Sequence, residues 1–431
     1  MKNAAAAAAL VSLVLATLLY IKMDFWIWDL RILVYGFKLL AGGFAPLLIV
    51  IGLGSAVLGW WYGMPWAALA GLSAAAAAGI FLVRVTRPHD GFTRTFGPGW
   101  EERISPVSAG RMLKRRRSLI RVIIPPRAQV RRNLPFWKIP GTTRILKADL
   151  WQPPEGTPPT GLGIVFLHSG GWQSMDKDCY TRPFFHYLAG QGHTILDVSY
   201  RQAFETDMAG ITADVKRAVA WMKSKAAGLG VDPDRIALMG GSAGGHLALL
   251  AAYTPNDPRF DPPDLGGIDT SVCGVVSYYG LPDLRGLHLE SSRGSAGWLA
   301  KLGYITGFVA REGYMDTPEL AKRLFGGLPE AVKGVAAHYS PVTHARPGCP
   351  PTMQLQGTHD HILNLEDARR LHAILNKAGV PSVLVELPQA EHAFDLLALV
   401  VSPPAQAALY DVERFLALLC REQPDVPVFD N

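Results

Sequence analysis

Cysteine is scarce, and what there is does not suit a metal or a disulfide framework. Cys179, Cys273, Cys349 and Cys420 are the only four in 431 residues, and no two stand as a C-x-x-C pair. That spacing excludes zinc-ribbon and disulfide-stapled classes and is compatible with a reducing compartment. Internal repeats are absent too, which leaves out repeat architectures. Charge is missing from the N-terminal part: residues 1–83 carry four basic and two acidic side chains among long apolar runs. Acid is missing next, since residues 84–147 hold 16 Lys/Arg against three Asp/Glu, a local +13. The remainder, 148–431, has 22 basic and 31 acidic residues and a net −9. The overall +6 and the pI near 9.1 therefore belong to one short stretch. An acidic body argues against nucleic acid as a partner.

Apolar residues make up 49% of the chain and crowd towards the N-terminus. Residues 4–21 form one apolar run, 39–62 a second and 66–83 a third, each about long enough to cross a hydrocarbon core. No A-x-A-like cleavage site follows the first run, which favours an uncleaved helix over a signal peptide. Aromatic residues mixed with charges at 25–38 and the Trp60-Trp61-Tyr62 belt suit a membrane interface. Gly59-x-x-x-Gly63 matches a helix-packing motif. The expectation is an all-α transmembrane region of three helices at 1–83. A basic juxtamembrane linker at 84–133 follows. Its densest run, 111–121, reads either as a solvated charge run or as a segment held on anionic lipid head groups. Lys22, Arg31, Lys38, Arg84, Arg87 and the linker would share one side of the membrane, opposite Lys2. Positive flanks stay inside, so a multi-pass protein of the cell membrane is expected, with its N-terminus outside and its body in the cytoplasm.

From about residue 134 the texture changes to short apolar runs alternating with helix-period runs. Strands are expected at 143–150, 163–167, 193–198, 236–239, 272–278, 352–356 and 382–387. Helices are expected at 180–191, 211–227, 243–253, 366–378 and 405–419. That alternation predicts an α/β body over 134–431, a mainly parallel sheet with helices on both faces. About sixty residues, 281–339, interrupt the rhythm. They read as a helical cap over the mouth of a site, rich in Trp298, Leu302, Tyr304, Ile305 and Phe308.

The body is organised around Gly240-Gly241-Ser242-Ala243-Gly244, a G-x-S-x-G pattern between a strand-like and a helix-like run. Side chains flanking the serine of so sharp a turn would clash, hence glycines on either side. The serine is presented at a helix N-terminus, where free N–H groups favour developing negative charge. A serine needs a base, and the base needs a third group to hold it. Downstream, Asp360 lies just past the C-terminal end of an expected strand, and His392 lies in a loop after another. Those are the places where open α/β sheets collect chemistry. His359 and His361 flank the acid, but no third ligand clusters with them for a metal. Gly170 and Gly171, after the strand 163–167, let backbone N–H groups approach a substrate oxygen. The N–H of Ala243 would complete that oxyanion hole.

Together, His168-Ser169-Gly170-Gly171-Trp172, Ser199-Tyr200-Arg201, Asp232-Pro233-Asp234-Arg235 with the elbow, Gly357 to Asp360, and His392-Ala393-Phe394-Asp395 carry a resemblance. From about residue 134 to 421 the chain resembles the hormone-sensitive-lipase-like esterases of the α/β-hydrolase superfamily. It also resembles their feruloyl-esterase-like and membrane-anchored carboxylesterase neighbours. The resemblance implies an α/β-hydrolase fold and hydrolysis of a small-molecule or lipid ester through an acyl-enzyme, with no cofactor. It implies Ser242 as nucleophile, His392 as base and Asp360 as the acid that orients it. Gly170, Gly171 and Ala243 match the oxyanion donors. The family usually has H-G-G-G where this chain has His168-Ser169-Gly170-Gly171. The hole is expected to survive, with Ser169 adding a hydroxyl or shaping the acyl pocket and His168 packing beside it. An apolar cap suits short to medium, uncharged acyl groups. Two alternatives share the fold: an acyltransferase using the same three residues, and a non-catalytic binding module, against which the presence of His392 speaks.

Overall fold

The structure is a computed structural model and describes residues 1–23, 28–116, 121–285, 317–327, 331–396 and 399–419. Six helices precede the sheet: α1 (Lys2–Leu18), α2 (Trp28–Gly43), α3 (Ala45–Trp61), α4 (Pro65–Val85), α5 (Gly91–Phe96) and α6 (Pro106–Arg111). The body then runs β1 (Gln129–Lys138), β2 (Ile145–Gln152), β3 (Gly161–Leu167), α7 (Arg182–Gly190), β4 (Thr194–Val198), α8 (Met208–Leu229), β5 (Val231–Gly241), α9 (Ala243–Tyr253) and β6 (Gly274–Tyr278). It continues through α10 (Thr317–Phe325), α11 (Lys333–His338), α12 (Pro341–His344), β7 (Thr352–Gly357), α13 (Leu365–Lys377), β8 (Ser382–Leu387) and α14 (Pro403–Leu419).

The eight strands form one sheet in the order β1-β2-β4-β3-β5-β6-β7-β8. β1 and β2, and β2 and β4, pair antiparallel, and every later neighbour is parallel. This is the expected α/β-hydrolase architecture. The central strands are apolar on both faces, as parallel strands covered by helices must be. Ile164 and Phe166 of β3 join one core layer with α7 and α14, while Val165 and Leu167 join the other with α8 and α9. Local signals set the helix ends. Asp207 caps α8 through the N–H of Gly210, and Gly230 ends it in the left-handed region.

The N-terminal part differs from the expectation in three respects. First, residues 39–62 are not one helix. α2 and α3 meet at an angle of 83°. Pro46, at the start of α3, has no N–H to continue α2 and would clash with the carbonyl of Gly42, in a weak helical Gly42-Gly43 pair. Only α4, with 21 residues, is by itself long and apolar enough to cross a membrane among the described residues; α1 has 17. Second, Gly63 does no packing. Its neighbourhood is open, whereas a Cβ on Gly52 would meet Gly71 O at 2.7 Å and one on Gly59 would meet Ala68 N at 2.6 Å. α3 and α4 thus approach through Gly52 and Gly59. Third, much of the stretch expected as a basic linker is folded onto the body. Arg116 makes a buried ion pair with Asp411, its Nε–H shared between the two carboxylate oxygens at 2.9 and 3.1 Å. Leu113 N–H donates to Glu413 and Thr95 Oγ1 to Ser382 O. Phe92, Trp100, Ile104 and Met112 join the same core layer as Phe415 and Leu416. The sheet also begins at Gln129, inside that stretch, where Val130, Leu134 and Phe136 pack against the core.

The expected cap falls mostly outside the described residues, and with it Trp298, Leu302, Tyr304, Ile305 and Phe308. Its described C-terminal part places Leu320, Leu324, Phe325 and Ala336 against the α8 and α9 layer.

Candidate active site

Ser242 stands between β5 and α9 with φ 53° and ψ −119°, a strained conformation for a residue with a side chain. Neighbouring backbone leaves no choice at the flanking positions. A Cβ on Gly240 would lie 2.5 Å from Gly244 C, and one on Gly244 would lie 2.0 Å from Leu167 O. The Ser242 N–H donates to Tyr278 O at 2.9 Å, tying the elbow to β6.

Two further loops converge there. Asp360 follows β7 in a tight turn, with its side chain about 1% exposed. Its Oδ1 accepts from the N–H groups of Ile362 (2.9 Å) and Leu363 (2.8 Å). Its Oδ2 accepts from Gln356 Nε2 at 2.8 Å and from His392 Nδ1 at 2.9 Å. With Nδ1 donating to the carboxylate, the lone pair of His392 is on Nε2, which lies 3.1 Å from Ser242 Oγ. Three residues expected from three separate stretches are thus one hydrogen-bonded chain, hydroxyl to imidazole to carboxylate. Tyr279 was not anticipated. Its ring lies 4.5 Å from that of His392, and its hydroxyl donates to Asp395. Burial pushes the Asp395 carboxyl up to about 6. Gln356, which braces the acid, was also missed; a glutamine within an expected strand gives no signal of such a role.

The loop after β3 turns sharply. Gly170 has φ 113°, and a Cβ there would lie 2.0 Å from Ser174 O. Its carbonyl accepts from the N–H groups of Gln173 and Ser174 and from Ser174 Oγ. Among the described residues no backbone carbonyl pairs with the N–H of Gly170, Gly171 or Ala243. Ser169 donates its hydroxyl to Gly241 O at 3.0 Å, so it clamps the glycine loop to the elbow instead of offering a free donor. It also lines a small cavity with Met175, Cys179, Tyr279 and Asp395. His168 is stacked on Tyr200 at 4.1 Å, and its Nδ1 donates to Ser169 O. Burial lowers its basicity. His246 is buried against Trp172 and held near 4. Both are packing groups. His359 and His361 contact Lys38 and Glu391, and no metal-binding cluster occurs among the described residues. Cys179, Cys273 and Cys349 form no disulfide; Cys420 lies outside the described residues.

This arrangement can deprotonate a hydroxyl, pass the proton to a leaving group and stabilise an oxyanion. The chain is 33% identical over 275 residues to the probable carboxylic ester hydrolase LipM of Mycobacterium tuberculosis, covering 62% of this chain and 57% of that protein. It is 31% identical over 265 residues to the esterase LipQ of the same organism, covering 61% and 58%. The chain thus spans less than two thirds of the length of these relatives. Among solved structures, a thermophilic esterase of Thermogutta terrifontis, Est2, matches with a TM-score of 0.46 and 29% identity, over 62% of this chain and 84% of that one. Residues 148–375, more than half of the chain, match the family BD-FAE, and the chain belongs to that family.

Proposed function

We propose that this protein hydrolyses carboxylic esters through an acyl-enzyme on Ser242. The observation that carries this reading is the hydrogen-bonded chain from Ser242 through His392 to Asp360 at a strained strand-to-helix turn. The esterase names of LipM and LipQ support it. Ser242 Oγ attacks the ester carbonyl while His392 Nε2 takes its proton. The tetrahedral oxygen is met by the N–H groups of Gly170, Gly171 and Ala243. As the C–O bond to the alcohol breaks, His392 returns the proton to the departing oxygen. Water then enters, His392 deprotonates it, and the second collapse frees the acid and restores Ser242. Asp360 holds the imidazole in the tautomer this needs and balances its charge.

The test is hydrolysis of a short-chain p-nitrophenyl ester by the full chain and by Ser242→Ala. The variant should lose several orders of magnitude in kcat/KM with its fold intact. Retention of more than about a tenth of the wild-type value would place the nucleophile elsewhere. Product analysis with a competing alcohol separates hydrolysis from acyl transfer through the same serine.

We further propose that α1, α3 and α4 attach the protein to a membrane. Val57, Trp60, Trp61 and Leu69 present large apolar side chains outward, Trp61 at 80% exposure, and α4 has the length and apolarity of a span. Positive flanks at Arg84 and Arg87 favour a cytoplasmic body. Reporter fusions after residue 90 should be active only in the cytoplasm; the opposite result reverses the orientation.

A further inference from the structure

The loop that carries His392 is strained and is gripped from outside the hydrolase body. Gln389 (φ 62°) and Ala393 (φ 59°) both sit in the left-handed region without being glycine. Such a loop holds its shape only if its surroundings over-determine it. Within the body it is tied to the acid turn: Gln389 N–H donates to Thr358 Oγ1 and His359 N–H to Ala390 O. Further ties come from α2. The Tyr35 hydroxyl donates to the carbonyl oxygen of His392 itself, at 2.9 Å. The Tyr35 ring lies 4.8 Å from that of His361. The Lys38 ammonium donates to Glu391 Oε1 and to Ile21 O, both at 2.6 Å, and to His359 Nδ1 at 3.0 Å. Glu391 Oε2 in turn accepts from His361 Nδ1 at 3.0 Å. The side chains of Lys38 and Glu391 are each about 1% exposed.

Two residues of one N-terminal helix therefore touch the immediate neighbours of both Asp360 and His392. His359 and His361 flank the acid, Glu391 precedes the base, and the base's own carbonyl is the fourth contact. A buried ion pair this enclosed is costly to half-remove, so its geometry is stiff. Tyr35 meets the backbone of the base loop, and Lys38 meets the side chains of residues next to Asp360 and His392. We propose that Tyr35 and Lys38 are positioning residues for the hydrolase site, and that they make α2 part of the catalytic unit as well as of the N-terminal helical region. The inference rests on the Ser242 reading given above. It also means that the body without residues 1–83 is an incomplete enzyme.

The test compares the full-length wild-type chain, Tyr35→Phe and Lys38→Met. The readouts are kcat and KM for a p-nitrophenyl ester, the rate at which a fluorophosphonate labels Ser242, and thermal unfolding. Tyr35→Phe keeps the ring against His361 and removes only the hydroxyl. Its kcat and its labelling rate should fall together by roughly tenfold, with KM within about twofold and unfolding nearly unchanged. Lys38→Met should cost on the order of 10²-fold in kcat by loosening both loops. If Lys38→Met does not fold, Tyr35→Phe decides alone. Wild-type kcat and labelling rate in a folded Tyr35→Phe would overturn the positioning role while leaving the hydrolase reading intact. A wild-type chain that neither hydrolyses the ester nor takes the label would overturn that reading and this inference with it.

Discussion

Asp360 fills its lone pairs with four donors: two backbone N–H groups, Gln356 and His392. An asparagine there keeps the size but turns one acceptor into a donor, which cannot face both Gln356 Nε2 and His392 Nδ1–H. The imidazole then takes the wrong tautomer, and Asp360→Asn should lower kcat by roughly 10⁴-fold while KM changes little. Steady-state kinetics on the folded variant check this. Asp395 gives a prediction of another kind. Its folded value of about 6 lies above the ordinary 3.8, because burial disfavours the charge. Its stabilising contribution is therefore complete below pH 3.8 and is lost as pH rises to about 6. Asp395→Asn does not ionise, so its stability relative to wild type should rise across that window by on the order of 3 kcal/mol and stay flat above it. Denaturant midpoints of both proteins between pH 4 and 7 measure the difference. Ser242, Asp360 and His392 were legible in the sequence because each follows a strand-like run and belongs to a motif. Tyr279 was not, since what brings it to His392 is the neighbour order β6-β7-β8 in the sheet, and Gln356 was not, since a glutamine within a strand-like run gives no signal of its role.

The elements were legible where one period dominates. The expected strand at 382–387 is β8, and the expected helix at 243–253 is α9. Near the N-terminus a purely apolar run hid the break between α2 and α3, since hydropathy alone does not register a proline that starts a new helix. It also hid which glycines matter. Gly71, whose Cβ would stand 2.4 Å from Gly52 O, is the tightest point between α3 and α4. Gly71→Leu should force the two helices apart, whereas Gly63→Ala meets open space and is limited only by its φ of 65°. Cross-linking between cysteines placed on α3 and α4 should be lost in the first variant and kept in the second. At the elbow, Gly244→Ala drives a methyl into Leu167 O at 2.0 Å and should abolish activity by moving Ser242, not by removing it. A fluorophosphonate label that still reaches Ser242 at the wild-type rate in that variant would contradict this.

At the scale of the molecule, the N-terminal region and the body share one core layer. Leu19, Leu48, Ala78, Phe81 and Val85 belong to the same cluster as Met353, Leu387 and Phe415. Composition suggests a membrane part, a basic juxtamembrane linker and an enzyme body, because a run of arginines looks the same whether its guanidinium groups face water, lipid head groups or an aspartate such as Asp411. Deleting residues 1–83 removes Leu19, Ala41, Ala45, Leu48, Ala78 and Phe81 from that shared layer and leaves Glu391 without Lys38. The truncated chain should aggregate on size-exclusion chromatography and keep under about a tenth of the full-length kcat. A monodisperse, fully active truncation would show that the two parts are independent. The central claim is that an acyl group passes through Ser242, and intact-protein mass spectrometry tests it most directly. The full chain is mixed with a slowly deacylating ester and quenched within one turnover. The account predicts one added acyl group per chain, mapped by peptide fragmentation to Ser242 and absent from Ser242→Ala. An acyl group on another residue, or undiminished hydrolysis by Ser242→Ala, would contradict it.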